Sequence, residues 1–218
     1  MKKFLLLLTI LIVLANCFCL GACQTNDAQG IEFEVLKIGK ASVSGYNGTD
    51  SDVTIPSRYK FLTVTNIGTE AFGDCKTLTS ITIPNSVTTI GPAAFWYCPN
   101  LSKVTLGTNV KSIAASAFAG CTSLTTINLP KGITTIEESA FYDCISLTSI
   151  VIPNSVTNME TWVFIDCPNL TIYCEATSQP SGWIRDWEDR CPVYWYSETQ
   201  PTTSGNYWHY VDGVVTKW

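Results

Sequence analysis

Five cysteines stand at Cys75, Cys98, Cys121, Cys144 and Cys167, each 23 residues after the one before. A thiol ladder of this kind could cross-link, bind a metal or supply a nucleophile, and each chemistry needs particular neighbours. Zinc needs clustered Cys and His, but the chain has a single histidine, His209, and no Cys-x-x-Cys pair. A nucleophile needs a base and a group that orients the base, and one His between Trp208 and Tyr210 cannot complete that set. No Gly-rich phosphate loop follows a strand pattern. Asp74, Asp143 and Asp166 share the position just before the cysteine and could form a cation ladder. Tyr97 and Gly120 hold the same position in other units, which favours a plain turn role. In a stacked repeat the thiols would lie about 5 Å apart, but parallel inward side chains point the wrong way for a disulfide dihedral. Their number is also odd. The column therefore reads as small, reduced, buried residues. No catalytic residue, metal site or cofactor is expected.

An invariant 23-residue period requires a repeat solenoid. Ile67, Ile90, Ile113, Ile136 and Met159 form one column, Phe72, Phe95, Phe118, Phe141 and Phe164 a second, and Leu78, Leu101, Leu124, Leu147 and Leu170 a third. Leu78, Ile81 and Ile83 end each unit's pattern on a period of two, which predicts a strand with one buried face. Pro84, Pro130 and Pro153 stop three of these strands. The A-F-x-x-C segment predicts a short helical or 3₁₀ turn. No unit can bury its face alone, so neighbours share one core and both ends need covers. The expected fold is thus a β-rich solenoid, with one strand and one helical or 3₁₀ turn per coil and hairpin caps.

The predicted organisation has five parts. Residues 1–22 read as a secretory signal, with Lys2 and Lys3 before the apolar run Phe4 to Leu14. Residues 23–30 form a polar tether. Residues 31–66 hold an N-terminal hairpin and a first, longer coil. Residues 67–175 hold five 23-residue units, the last irregular. Residues 176–218 form an aromatic cap with a hairpin turn at Asp212-Gly213. Cys174 and Cys191 lie outside the ladder and could pair with each other.

Leu20-Gly21-Ala22-Cys23 resembles the lipobox of bacterial lipoproteins. That resemblance implies cleavage before Cys23, acylation of its thiol, and anchoring to the membrane at the cell surface. Ordinary cleavage near Ala22 is the alternative. Losing Lys2 and Lys3 takes 13 basic residues to 11 against 18 acids, a net charge of −7. An acidic chain with no basic cluster is a poor partner for nucleic acid or anionic headgroups.

The unit IGxxAFxxCxxLxxIxIPxSVTx resembles the BspA-like class of bacterial leucine-rich repeats, over about residues 53–175. The resemblance implies a secreted or cell-surface protein that binds rather than catalyses. Its partners would be host matrix proteins or other microbial surfaces.

Three surfaces are candidates for binding. The outward strand positions are Ser80 and Thr82, Lys103 and Thr105, Thr126 and Asn128, and Ser149 with Val151. They make a hydroxyl-rich face, though Thr is also simply a good strand residue. On the opposite side, Trp96, Tyr97, Tyr142 and Trp162 could form an exposed aromatic patch of the kind enriched at interfaces, or could lie flat over the convex side or pack on the C-terminal cap. The tail holds Trp183, Trp187, Trp195, Trp208 and Trp218. It reads as a cap over the open end, with a glycan-gripping hairpin as the alternative.

Overall fold

The computed structural model describes residues 25–26 and 29–218. The predicted signal segment and Cys23 lie outside the described residues. Among the described residues there are strands and turns but no helix. The chain opens with β1 (Thr25–Asn26), β2 (Ile31–Lys37) and β3 (Lys40–Tyr46). The long first coil follows as β4 (Asp52–Thr54), β5 (Arg58–Tyr59) and β6 (Leu62–Ile67). The coils then give β7 (Ser80–Thr82), β8 (Thr89–Ile90), β9 (Lys103–Thr105), β10 (Ser112–Ile113), β11 (Thr126–Ile127) and β12 (Thr135–Ile136). The series ends with β13 (Ser149–Ile152), β14 (Asn158–Met159), β15 (Thr171–Cys174), β16 (Val193–Tyr196), β17 (Tyr207–Val211) and β18 (Val214–Lys217).

Each coil therefore contributes two strands, not one. The first sheet runs β1-β2-β3-β6-β8-β10-β12-β14, with β5 attached to β6, and the second runs β4-β7-β9-β11-β13-β15-β16-β17-β18. Pairing between coils is parallel and in phase, for example Ser112↔Thr135 and Ile113↔Ile136. The Ile/Met, Phe and Leu columns are buried throughout.

The third side of the coil is the predicted helical turn, and it is not helical. Glu70, Ala93, Ser116, Ser139 and Trp162 have φ between 51° and 61°, as do Asp74, Tyr97, Asp143 and Asp166, with Gly120 at 73°. A left-handed residue on each side of every Phe breaks the repeated right-handed turn that a helix needs. The backbone N–H groups instead alternate. Ala71, Gly73 and Cys75 donate three residues back, to Gly68, Glu70 and Phe72. Phe72 and Asp74 donate across to Ala94 and Trp96 of the next coil. Later coils repeat this, so the turns form a hydrogen-bonded ladder of their own.

This ladder explains the cysteines. The Phe carbonyl receives no backbone bond from a neighbouring coil, and the cysteine thiol of the next coil donates to it. Cys98 reaches the Phe72 carbonyl at 3.0 Å, Cys121 the Phe95 carbonyl at 3.3 Å, Cys144 the Phe118 carbonyl at 3.3 Å and Cys167 the Phe141 carbonyl at 3.1 Å. A small apolar side chain with a weak donor suits that place. All the described cysteines are free, Cys174 and Cys191 included.

Cys191 extends the ladder, its thiol lying 3.8 Å from the Phe164 carbonyl and 3.6 Å from the Cys167 carbonyl. Trp187 follows Phe164 by 23 residues and meets it edge-on at 6.2 Å. Residues 181–196, within the predicted cap, thus form one more, degenerate coil. Trp183 and Trp187 join the main core, and Trp195 packs against it. At the opposite end Tyr46 covers Phe72 at 5.2 Å.

The last hairpin does not cover that end. Tyr173 pairs with Tyr194, and Tyr196 with Trp208, so all four lie on the outer face of the second sheet. There Trp208 is fully buried, walled by Tyr173, Tyr196 and Tyr210, with Nε1 donating to the Cys174 carbonyl at 2.9 Å. Trp218 stays 43% exposed, against His209 at 3.7 Å. The two tryptophans should therefore behave differently. Trp208→Ala is expected to cost about 3–5 kcal/mol in chemical denaturation, and Trp218→Ala about 1 kcal/mol or less. Equal losses would contradict the separate outer-face cluster.

Candidate functional site

The hydroxyl-rich face exists as a ladder. Asp52, Ser80, Lys103, Thr126 and Ser149 pair in succession across β4, β7, β9, β11 and β13. Thr82 pairs with Thr105 beside them. Thr82, Lys103, Thr105, Thr126, Asn128 and Ser149 are exposed and Ser80 is half-buried, with its hydroxyl donating to Asp52. The middle of the face carries a shallow depression of about 420 Å³ lined by Lys103, Thr105, Thr126 and Asn128, among others.

The aromatic candidates all lie on the turn ladder and are all exposed: Trp96 46%, Tyr97 49%, Tyr142 41% and Trp162 48%. They do not form one continuous patch. Trp96 and Tyr97 touch, with ring centroids 5.6 Å apart. Tyr142 occupies the same column as Trp96 two coils away, with buried Ala119 between them. Trp162 sits on the other edge of the ladder, two residues before its Phe.

Two of these rings stand at the left-handed positions that each coil carries. Tyr97 has φ 56° and Trp162 φ 61°. The positions equivalent to Tyr97 hold Asp74, Gly120, Asp143 and Asp166, residues that tolerate the left-handed region. A bulky aromatic there costs about 1–2 kcal/mol. Gly120 makes room for the ring, since a Cβ at that position would meet Tyr97 Cδ2 at 3.0 Å.

Beside Tyr142 the ladder opens into a cleft of about 760 Å³ lined by Asp143, Asp166, Asp189, Arg190 and Ile145, among others. Burial, and then the neighbouring Asp166 charge, raise the Asp143 carboxyl above its ordinary value. The Asp166 charge and its hydrogen bond raise the Tyr142 phenol. The three aspartates are turn residues first, since all have positive φ. The cleft leaves no mark in the sequence because it forms between coils rather than within one. Among the described residues no group of three or more His, Cys, Asp or Glu side chains is placed to hold a metal ion.

The BspA type leucine rich repeat region matches residues 38–171 in six copies. The leucine rich repeat protein of T. pallidum superposes with a TM-score of 0.66 at 30% identity, covering 68% of this chain and 70% of that one. A leucine-rich repeat protein of Bacteroides ovatus gives 0.63 at 32% identity, over 72% of this chain and 42% of its own length. The pneumococcal vaccine antigen PcpA gives 0.65 at 18% identity, over 79% of this chain and 42% of its own length, a likeness of fold. No curated protein matches.

Proposed function

Because the chain belongs to the BspA-type bacterial leucine-rich-repeat family, we propose that it is an adhesin-like binding protein of the cell surface, recognising a protein partner through its turn ladder. The observation that carries this reading is the pair of exposed aromatics, Tyr97 and Trp162, held at left-handed backbone positions. Their placement costs backbone strain and leaves about half of each side chain in solvent, which fits contact with a partner. Partners of this kind are host matrix proteins or the surfaces of other microbes. Anchoring follows from the lipobox resemblance at Cys23. Intact cells should release the protein with detergent and not with salt, and Cys23→Ala should send it into the medium or leave it unprocessed. Wild-type fractionation of Cys23→Ala would refute the anchor.

A second reading, glycan or cell-wall binding, draws on the exposed Trp218 and on the outer-face stack of Tyr173 and Tyr194 at 5.5 Å, with Lys217 4.3 Å from the Tyr194 ring. A matrix-protein binding panel run beside a glycan array separates the two. Binding to matrix protein that is lost with Tyr97→Asn supports the first reading. Binding to polysaccharide that is lost with Trp218→Ala, and unaffected by Tyr97→Asn, supports the second.

A further inference from the structure

Two hairpins at the N-terminal end leave their tips side by side. The β2–β3 tip carries Ile38, 86% exposed, and the β5–β6 tip carries Phe61, 75% exposed. These are the most exposed large apolar side chains among the described residues. The Thr63 N–H donates to the Gly39 carbonyl at 2.9 Å, which locks one tip against the other. Lys37 pairs with Lys40, Lys40 with Thr63, and Thr63 with Arg58. Three cations therefore lie on one line across four adjacent strands. Lys60 adds a fourth in the turn, its Nζ 5.0 Å from the Tyr59 ring. Segments 35–40 and 58–63 contain no acid, in a chain with 18 acidic and 13 basic residues. Among the described residues none of the four cations is in an ion pair. The expectation that the chain has no basic cluster is thus overturned, because the cluster is assembled from two separate hairpins and forms no run in the sequence.

We propose that these paired tips are a membrane-contacting surface, with Ile38 and Phe61 entering the interfacial region of an anionic bilayer and Lys37, Lys40, Arg58 and Lys60 facing its headgroups. Exposed apolar tips ringed by cations on an otherwise acidic protein match that partner in both polarity and charge. The direction of the chain agrees. β1 is antiparallel to β2, with Thr25 opposite Phe33 and Asn26 opposite Glu32. Its N-terminal end therefore points toward the tips, and Cys23 is two residues further on, a reach of about 7 Å at most. That part of the argument rests on the lipoprotein reading. An acyl anchor there would bring the tips to the bilayer, and the tips would then fix which way the solenoid stands, leaving the turn ladder to meet a partner.

The vesicle test does not depend on acylation. Residues 24–218, which contain every described element, are mixed with vesicles of phosphatidylcholine and phosphatidylglycerol, or of phosphatidylcholine alone, and sedimented. The chain should partition onto the anionic vesicles and much less onto the neutral ones, and salt should weaken the partition. Lys37→Glu and Lys60→Glu should each lower it about fivefold or more. Ile38→Asp with Phe61→Asp should lower it about tenfold or more. All four side chains are exposed, so the melting temperature should stay unchanged and show that the variants are folded. Equal sedimentation with both vesicle types, or variants that bind like the wild type, would overturn the proposal. So would tip variants that abolish self-association and leave vesicle binding intact, since the tips would then cover a second copy. Detergent release from cells tests the Cys23 anchor separately, and either result can fail without the other.

Discussion

Phe118→Ala is expected to destabilise the protein by about 3–5 kcal/mol. The ring is fully buried at the middle of a five-ring stack. Its centroid lies 5.1 Å from Phe95 and 5.4 Å from Phe141, with interplanar angles of 7° and 5°. The spacing exceeds face-to-face contact, so the rings are offset, an arrangement that adds to simple burial. Removing the central ring leaves a void that rigid neighbouring coils cannot fill, because each is tied to the next by two parallel ladders and the turn ladder. Solenoid coils are coupled through their neighbours. Amide exchange should therefore rise in the flanking coils as well as at residue 118. A loss below about 1 kcal/mol would mean that the stack does not support the fold.

Alkali should have a comparable effect. Burial pushes the Cys98 and Cys167 thiols up to about 12 from an ordinary 9.0. It raises Cys121, Cys144 and Cys174 as well. These groups are neutral in the folded protein and ionise more easily once unfolded. Their contribution is intact well below pH 9.0 and is lost as pH climbs through 9.0 toward the folded value. Each such thiol removes about 1.4 kcal/mol of stability per pH unit in that interval. Cys98 and Cys167 together remove about 5–6 kcal/mol over two units, which matches the lower end of the roughly 5–15 kcal/mol of a typical domain. The protein should therefore change little between pH 7 and about 8, begin to lose stability near pH 9, and lose it steeply between about 10 and 11. The same burial predicts that the buried thiols resist alkylation at neutral pH until the chain unfolds. Unchanged stability at pH 11 would show that the thiols are not held neutral by the core.

The sequence reveals the period, and with it the core, because Ile, Phe, Cys and Leu recur in phase and all turn inward. It also reveals the terminal hairpins, since Asp212-Gly213 adopts positive φ at both residues as that turn requires. The second strand of each coil is hidden. Two residues such as Thr89 and Ile90 are too few to show alternation, and only stacking makes them a sheet. The left-handed turns are hidden because Glu70, Ala93, Ser116 and Ser139 are not residues that announce positive φ. The degenerate coil is masked by substitution, with Trp187 where Phe would stand and Cys191 one residue late. Trp96 and Tyr142 share a column that the sequence places on the outer side, while Tyr97 and Trp162 stand in two other columns. The backbone beneath Tyr97 and Trp162 could not be inferred, and neither could the cleft between Asp143 and Asp166 or the meeting of the two N-terminal hairpin tips.

The most direct test of the recognition surface separates stability from binding in one protein. Tyr97→Asn with Trp162→Asn places at both left-handed positions a residue that accepts them, and removes two exposed rings. The double variant should unfold at the same denaturant concentration as the wild type or be more stable by about 1 kcal/mol. Its binding to matrix proteins that retain the wild type should fall at least about tenfold, as expected for the loss of aromatic anchors. A variant that binds as tightly as the wild type would show that the turn ladder is not the recognition surface. One that loses stability and binding together would show that the two rings serve the fold.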